Sequence, residues 1–548
     1  MFLKLIEDVK KILKDFGDER YIRESEHADL CSTIAFKIAK DTGKDAKIVA
    51  DEIVEGLTPL GYVSSVHSIN GYINFFANEE FLEDTVKSIL KDQENYGKLN
   101  FKGKVLVEHT SANPDGPLHI GHVRNAVLGD CIARILKKAG YDVLTHYYIN
   151  DMGRQMAVTY LGYELFGFSD KKSDHAVADS YIKANVELEK RPELEKRVEE
   201  IMLKYESLNE EVFEKMRNIV SFALEGIKQT LERLNVWHDE FVWESDFVKN
   251  GSVQEILKKL DEKKIVEKDG AWIVRLEGFE KEVILKRENG TTLYIARDLA
   301  YHSWKSKFFD RIVNVLGADH KLHASQLLKL LEIIEVKKPE VVFFEFVSLP
   351  EGRMSTRKGR YVSADELMEK VKEEALKLLE SRDISQKEKD EIAEAVAIGA
   401  IRFDFVKVAP EKHITFDWHQ ALDFERQTAS YIQYTHARAC SILRKALEYG
   451  MQELDFKGDL CNKEERKLVI NLSKFPYQLM RAAKDLRPHY IAEYLLSLSS
   501  NFNEFYRLHP VLKCEKELRM HRLALVDATR IVLKNGLELL GIKPLEKM

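Results

Sequence analysis

Two histidines three residues apart, His119 and His122, enclose Ile120 and Gly121 in the stretch HTSANPDGPLHIGHVRNAVLGD. Far downstream, EGRMSTRKGRYV crowds Arg353, Arg357, Lys358 and Arg360 around Met354, Ser355 and two glycines. The first stretch follows the strand-like run KVLVEHT and opens a helical pattern. Backbone N–H groups at a helix start have no intrahelical partner and the helix dipole is positive there, so phosphate is attracted. Imidazoles at i and i+3 share one face of the first turn. Gly121 between them leaves space for a flat ligand on the helix end. Such a cradle suits a nucleoside triphosphate, with the histidines donating hydrogen bonds to phosphate. The same residues also fit metal ligation, although no further ligand stands at a familiar spacing, or two satisfied structural histidines. The cationic stretch tips the balance. Taken singly, a basic run is more often a solvated loop. Beside a phosphate cradle, it can fold over a triphosphate and neutralise charge growing on a departing pyrophosphate.

Both elements need a scaffold, and the chain is long enough for several. At 548 residues the prior is three or four domains. Hydrophobic residues make up 45% of the chain, which is ample for several cores, and charged residues 32%, above the globular norm of about 25%. A net charge of −7 means that a polyanion would have to meet local basic patches. Cys31, Cys131, Cys440, Cys461 and Cys514 are scattered, with no zinc spacing, so reduced thiols and no structural zinc are expected. The N-terminus, MFLKLIEDVKKILKDFGDE, spreads apolar residues at helical spacing and lacks a signal-peptide core. No later run reaches membrane-spanning length. A cytoplasmic protein without membrane contact is the expectation.

Three regions follow from patterning. Residues 1–98 begin with amphipathic helices and end in strand-like VSSVHSINGYINFFA plus a further helix, an α+β order. Residues 99–384 carry a βαβ unit (VLVEHT, a Pro/Gly loop, a helix to about Lys138, YDVLTHYYI), then a charged, mainly helical insertion over about 151–270. Strand-like WIVRLEG, VILKREN and TTLYIARD, then RIVNVLGAD, a helix from about His323 and EVVFFEFVSLP read as a second α/β half. The fold class is therefore α/β: a doubly wound, Rossmann-like parallel sheet split by an insertion, with nucleotide binding at the strands' carboxyl ends. Residues 385–548 read as an all-α helical bundle without strands.

HIGH at 119–122 followed by MSTRKG at 354–359 resembles the two signatures of class I aminoacyl-tRNA synthetases. SANPDGPLHIGHVR, YINDMGRQ, YIARDLAYH, LGADH, YIQYTHARACSIL and the closing LGIKPLEKM are similar, in order and along essentially the full length, to the arginyl-tRNA synthetase family. The resemblance implies activation of L-arginine with ATP and magnesium to arginyl-adenylate, then transfer to the terminal adenosine of tRNA(Arg). In this family activation needs bound tRNA. His119 and His122 would then stabilise the transition state, while Gly121, Met354 and Arg353 would line the ATP site. Arg353, Ser355 and Lys358 would hold pyrophosphate. The class signature has lysines first and fourth; here those places hold Arg353 and Thr356, and Lys358, Arg357 or another cation replaces the second lysine.

The resemblance also assigns the amino-acid pocket. A guanidinium wants planar carboxylate partners; Tyr294 and Asp298 match the family's guanidinium-binding pair, with Glu244 as a second acid. Glu108, Asn113 and Asp319 would hold the α-amino end. As structural alternatives, Asp298 could pair with Arg297 or Arg311, and Glu244 could lie on the surface. Such a site rejects lysine without an editing domain. For tRNA, Asn70, Tyr72 and Asn74 would touch the elbow, while Tyr431, Tyr434, Tyr506 and Met548 would approach the anticodon. The alternative for the tyrosines is helical core. A monomer is expected. Other classes weighed are a different class I ligase or nucleotidylyltransferase, and an inert tRNA-binding scaffold; the acidic pocket argues against the first, and intact histidines with a basic loop against the second.

Overall fold

The computed structural model describes residues 1–17, 19–25, 27–350, 362–424 and 427–548. Its N-terminal part runs α1 (Phe2–Ile12), β1 (Ile22–Arg23), β2 (Leu30–Ser32), α2 (Ile34–Thr42), α3 (Ala46–Glu55), β3 (Val63–Ile69), β4 (Tyr72–Ala77) and α4 (Glu79–Asp92). The strands form an antiparallel sheet in the order β1-β2-β4-β3. Asn70 and Gly71 close the β3–β4 hairpin with φ of 53° and 85°, the pair of positive values that a two-residue turn of matching twist requires.

The central sheet begins with β5 (Lys104–Glu108), continues through α5 (Ile120–Ala139) to β6 (Asp142–Ile149), and then enters the insertion. Helices α6 (Arg154–Phe166), α7 (Ser173–Lys190), α8 (Glu195–Glu206) and α9 (Glu210–Arg233) lead to β7 (Glu240–Trp243), α10 (Glu244–Lys249) and α11 (Ser252–Glu262). β8 (Val266–Asp269), β9 (Ala271–Val274) and β10 (Val283–Lys286) come next, then α12 (Tyr294–Lys305), β11 (Arg311–Gly317), α13 (Lys321–Ile333), β12 (Glu340–Phe344) and β13 (Val347–Ser348). Five strands pair in parallel in the order β12-β11-β5-β6-β7. The chain winds outward from β5 in both directions, so the strand order reverses between β5 and β11, where a doubly wound sheet opens a crevice.

Several expectations need correction here. β7 lies inside the stretch read as helical; four residues are too few to leave a period-2 signature. WIV and VILK do not join the parallel sheet. With β8 they form a separate antiparallel sheet, as the short connection between β8 and β9 allows. TTLYIARD is helical from Tyr294, because Ile295, Ala296, Leu299 and Ala300 continue a helical stripe that an eight-residue window truncates.

Beyond the sheet come α14 (Ala364–Leu379), α15 (Gln386–Val406), β14 (Ile414–Thr415), α16 (Trp418–Ala421), α17 (Ala429–Glu448), α18 (Lys463–Ser473), α19 (Phe475–Asp485), α20 (His489–Leu508) and α21 (Lys516–Leu539). The C-terminal region was read as free of strands; β14 is a two-residue strand pairing in parallel with β13. It is held there by Arg124, a fully buried side chain of α5 that donates to the carbonyls of Glu345, Pro410 and Lys412. A second buried guanidinium, Arg402 on α15, donates to Leu540 O (2.7 Å), Leu234 O (2.7 Å), Asn235 O (3.1 Å) and the Asp130 carboxylate. It joins the end of α21 and the end of α9 to α5. No helix among the described residues is long and apolar enough to cross a membrane.

Candidate active site

Leu118 and Ile120 are buried, which pins the start of α5 and leaves His119 and His122 half-buried at the helix end. His119 is the N-cap: its Nδ1 accepts from the N–H of Gly121 at 3.1 Å and of His122 at 3.4 Å. His122 returns the bond, its Nδ1 accepting from the His119 N–H at 3.4 Å. This is a capping box built from two histidines. The rings stack, with centroids 3.6 Å apart and planes 18° apart. Burial lowers the pKa of both rings, His122 well below the ordinary histidine range, where His119 adds to the effect. A neutral ring with an accepting Nδ1 carries its proton on Nε2. The helix end thus offers two Nε2–H donors. A Cβ at Gly121 would lie 3.0 Å from Cε1 of His119, so the missing side chain first of all makes room for the capping ring.

The loop before the helix is strained. Thr110 and Ser111 have φ of 68° and 39°, values uncommon for non-glycine residues and least expected of a β-branched one. Asn125 of α5 offsets the cost: its Oδ1 accepts from Thr110 N–H at 2.8 Å and its Nδ2 donates to Val315 O at 3.1 Å, so one side chain ties the loop after β5 to β11. Asn113 lies in the same loop, donating to Gln155 at 2.8 Å and accepting from Asn150 at 3.2 Å.

Arg353, Met354, Ser355 and Lys358 lie outside the described residues, as does the rest of 351–361. The residues after that stretch are fixed to the histidine helix. Ser363 bridges His119 in backbone pairing, and the Ala364 N–H donates to Leu118 O at 2.7 Å. Ser363 also caps α14.

Of the residues expected to bind the amino acid, Tyr294 and Asp298 come together. Tyr294 and Asp298 both meet His323 of α13: its ring centroid lies 4.7 Å from that of Tyr294, and its Nε2 lies 2.7 Å from Asp298 Oδ2. Asp298 therefore pairs with neither Arg297 nor Arg311. Against the upward push of burial, the His323 bond and the charges of His323, His302 and Arg297 hold the Asp298 carboxyl below its usual range. Glu244 is buried, not on the surface, and accepts from Arg297 Nε at 2.7 Å. Burial pushes its carboxyl up to about 7, with Arg297 pulling against the shift. Glu108 ends β5, and its Oε2 accepts from the fully buried Lys305 of α12 at 2.5 Å, which leaves Oε1 open among the described residues. Asp319 is exposed, close enough to His119 to raise that ring's pKa against burial.

Tyr148, at the end of β6, lies among these groups. Its ring stacks on Tyr301 at 4.3 Å with planes 3° apart, and its buried hydroxyl has no hydrogen-bond partner among the described residues. Three residues on, Asp151 is fully buried and accepts from Tyr205, Ser245 N–H (3.0 Å) and Ser245 Oγ (2.5 Å), joining β6 to the insertion. Sequence reasoning missed Tyr148, Asp151, His323, Lys305 and Asn125. Their one sequence signal is position: each lies within a few residues of a strand or helix end that faces the crevice.

The residues expected to face tRNA divide. Tyr72 is exposed beside the Asn70 turn, with its ring on Phe36. Asn74, expected beside them, is 4% exposed on β4 between β2 and β3, so it offers an RNA no surface. In the helical region a cleft of about 570 Å³ is lined by Tyr434, Arg438, Lys445, Tyr506, Lys513 and Met548 among others. Arg438 lies over both Tyr434 (4.7 Å) and Tyr506 (5.3 Å). Tyr431, in the first turn of α17, is half-buried. As for metals, Asp174, His175 and Asp365 group closely, but the Lys172 ammonium, 3.3 and 2.7 Å from the two carboxylates, already supplies the cation.

Comparison with known proteins meets this geometry. Residues 85–418 match the family model for the class I tRNA synthetase (R) catalytic domain, residues 432–548 the DALR anticodon binding domain, and residues 4–77 the arginyl tRNA synthetase N terminal domain. The chain is 65% identical to an arginine–tRNA ligase of Archaeoglobus fulgidus over 549 aligned residues, covering 100% of both chains. It is 47% identical to one of Methanosarcina barkeri, again over 100% of both. Among solved structures, Thermus thermophilus arginyl-tRNA synthetase superposes with a TM-score of 0.84 at 30% identity, covering 100% of each chain. Sequence, fold and site agree, and the chain belongs to the arginyl-tRNA synthetase family of class I aminoacyl-tRNA synthetases.

Proposed function

We propose that this arginine–tRNA ligase works in the crevice between β5 and β11, with the histidine-capped end of α5 as its electrostatic centre. A carboxylate oxygen of arginine attacks the α-phosphorus of ATP in line; the bond to pyrophosphate breaks and arginyl-adenylate forms. A ribose hydroxyl of the tRNA's terminal adenosine then attacks the arginyl carbonyl carbon, and AMP leaves. No side chain forms a bond to the substrates, so catalysis is positioning plus charge stabilisation. His119 and His122 donate from Nε2 to phosphate oxygens as charge builds. The observation that carries the reading is their reciprocal cap, which supports two fixed neutral donors at a helix N-terminus.

Arg353, Ser355 and Lys358 hold the leaving pyrophosphate, with Met354 and Gly121 beside the nucleotide. The backbone bridge from Ser363 to His119 supports this, since it holds Ser363, five residues after Lys358 in sequence, at the same helix end. Magnesium would enter with ATP, held chiefly by substrate phosphates and water, and would neutralise phosphate charge. Tyr294, Asp298 and Glu244 take the guanidinium; Asn113, Asp319 and Glu108 Oε1 take the α-amino end. tRNA(Arg) lies along the chain, its elbow at Asn70 and Tyr72 and its anticodon at Tyr431, Tyr434, Tyr506 and Met548, with Arg438 stiffening the stack. The tRNA requirement for activation rests on the family resemblance. The chain is proposed to act as a monomer, and its five free cysteines fit the cytoplasm.

ATP–pyrophosphate exchange with each amino acid, with and without total tRNA, tests the reading. Exchange on arginine alone and only with tRNA is expected. Exchange on another amino acid, or none, refutes it.

A further inference from the structure

A guanidinium brings five N–H donors and no acceptor, so a buried pocket for it must supply acceptors to match. The described pocket supplies fewer than its two acids suggest. Oδ2 of Asp298 is engaged by His323 and Oε1 of Glu244 by Arg297, which leaves one oxygen of each carboxylate open. A third oxygen stands among them. Tyr148 is 3% exposed, its hydroxyl has no partner among the described residues, and the charges of Glu244, Asp298 and Arg297 act on it. A buried hydroxyl without a partner forfeits its hydration free energy, so such groups are rare unless something else fills the gap. The ring cannot turn away, since it lies flat on Tyr301. Tyr301 is fixed in turn: its hydroxyl meets His146 Nδ1 at 3.0 Å and the Lys305 ammonium lies 4.1 Å over its face.

We propose that the Tyr148 hydroxyl is a further acceptor for the substrate's guanidinium, and so a specificity-determining contact for arginine. This deepens the assignment of Glu244 and Asp298 to the guanidinium and rests on it. The hydroxyl accepts from a guanidinium N–H that the two half-occupied carboxylates leave unmatched, and the stack on Tyr301 sets its depth. Lysine, with a single compact ammonium, cannot span three acceptors, so binding it strands at least one of them.

Tyr148→Phe keeps the ring and its stack and removes only the oxygen. Arginine binding to the full chain is measured by calorimetry with total tRNA present, beside the unliganded Tm and an Asp298→Asn control. Arginine affinity should fall about ten- to hundredfold, the range for a hydrogen bond to a charged group. The unliganded Tm should hold or rise, because an unsatisfied buried hydroxyl has been removed. A structural tyrosine predicts the opposite pair, a lower Tm with affinity kept, and that outcome overturns the proposal. If Tyr148→Phe binds arginine normally while Asp298→Asn does not, Tyr148 is wrong and the acidic pocket stands. If Asp298→Asn also binds normally, the pocket assignment itself fails and Tyr148 with it.

Discussion

His119 performs two jobs through two different nitrogens, and one substitution separates them. Nδ1 caps α5, accepting from Gly121 and His122, and Nε2 carries the proton proposed to meet phosphate. Asparagine places an amide oxygen near the Nδ1 position and is itself a good N-cap, but has no atom at Nε2. His119→Asn should therefore keep the cap, with a loss of stability below about 0.5 kcal/mol, whereas His119→Ala should lose about 1 kcal/mol. In a chain of this length about 1 kcal/mol moves Tm by about 2 °C or less, so calorimetric precision is needed. Catalysis should respond in a different order. Removing one donor aimed at developing charge costs about 10²–10³ in rate, or about 2.7–4 kcal/mol. Asparagine and alanine should thus be equally slow in tRNA-dependent pyrophosphate exchange while differing in Tm. An asparagine variant with wild-type exchange would show that Nε2–H donates nothing to the transition state. An alanine variant with wild-type Tm would remove the capping argument.

Acid should destabilise the fold through His109 and His302, which burial depresses to about 3. Above pH 6.5 both states are neutral and the full contribution is present; below it the unfolded chain takes up protons that the native fold refuses until about 3, so stability falls with pH across that window. Each group costs about 2 kcal/mol at pH 5 by this linkage, and a Tm unchanged between pH 7 and 5 would contradict it. Gly541→Ala should lose at least about 2 kcal/mol: φ there is 64°, where an L side chain is strained, and a Cβ would collide with the Arg402 guanidinium. Urea unfolding indistinguishable from wild type would refute that.

The sequence exposed the parts of the site that depend on local order. His119, Gly121 and His122 were readable because a loop-to-helix transition fixes their geometry within four residues. The parallel sheet was readable from VLVEHT, YDVLTHYYI and RIVNVLGAD because strands buried on both faces are continuously apolar. What escaped depends on distance along the chain. Tyr294 and Asp298 could be placed on one face once α12 was assumed, but nothing near them announced that His323, 25 residues on, would bond the acid. Glu244 lies one residue past a strand too short to recognise, and its partner Arg297 is 53 positions away. Asn74 misled because strand alternation alone puts it on the same face as exposed Tyr72; β4 is central in its sheet, and neighbours cover it.

Arg402 bears on how parts far apart along the chain are held together. Its one guanidinium grips the chain's closing turn, the last residues of the insertion and the helix that begins at the paired imidazoles. Its bonds go to backbone carbonyls, one buried acid and the Cys131 sulfur, so a single buried side chain ties these elements together. Loss of Arg402 would therefore release the end of α21, the end of α9 and α5 from one another at once.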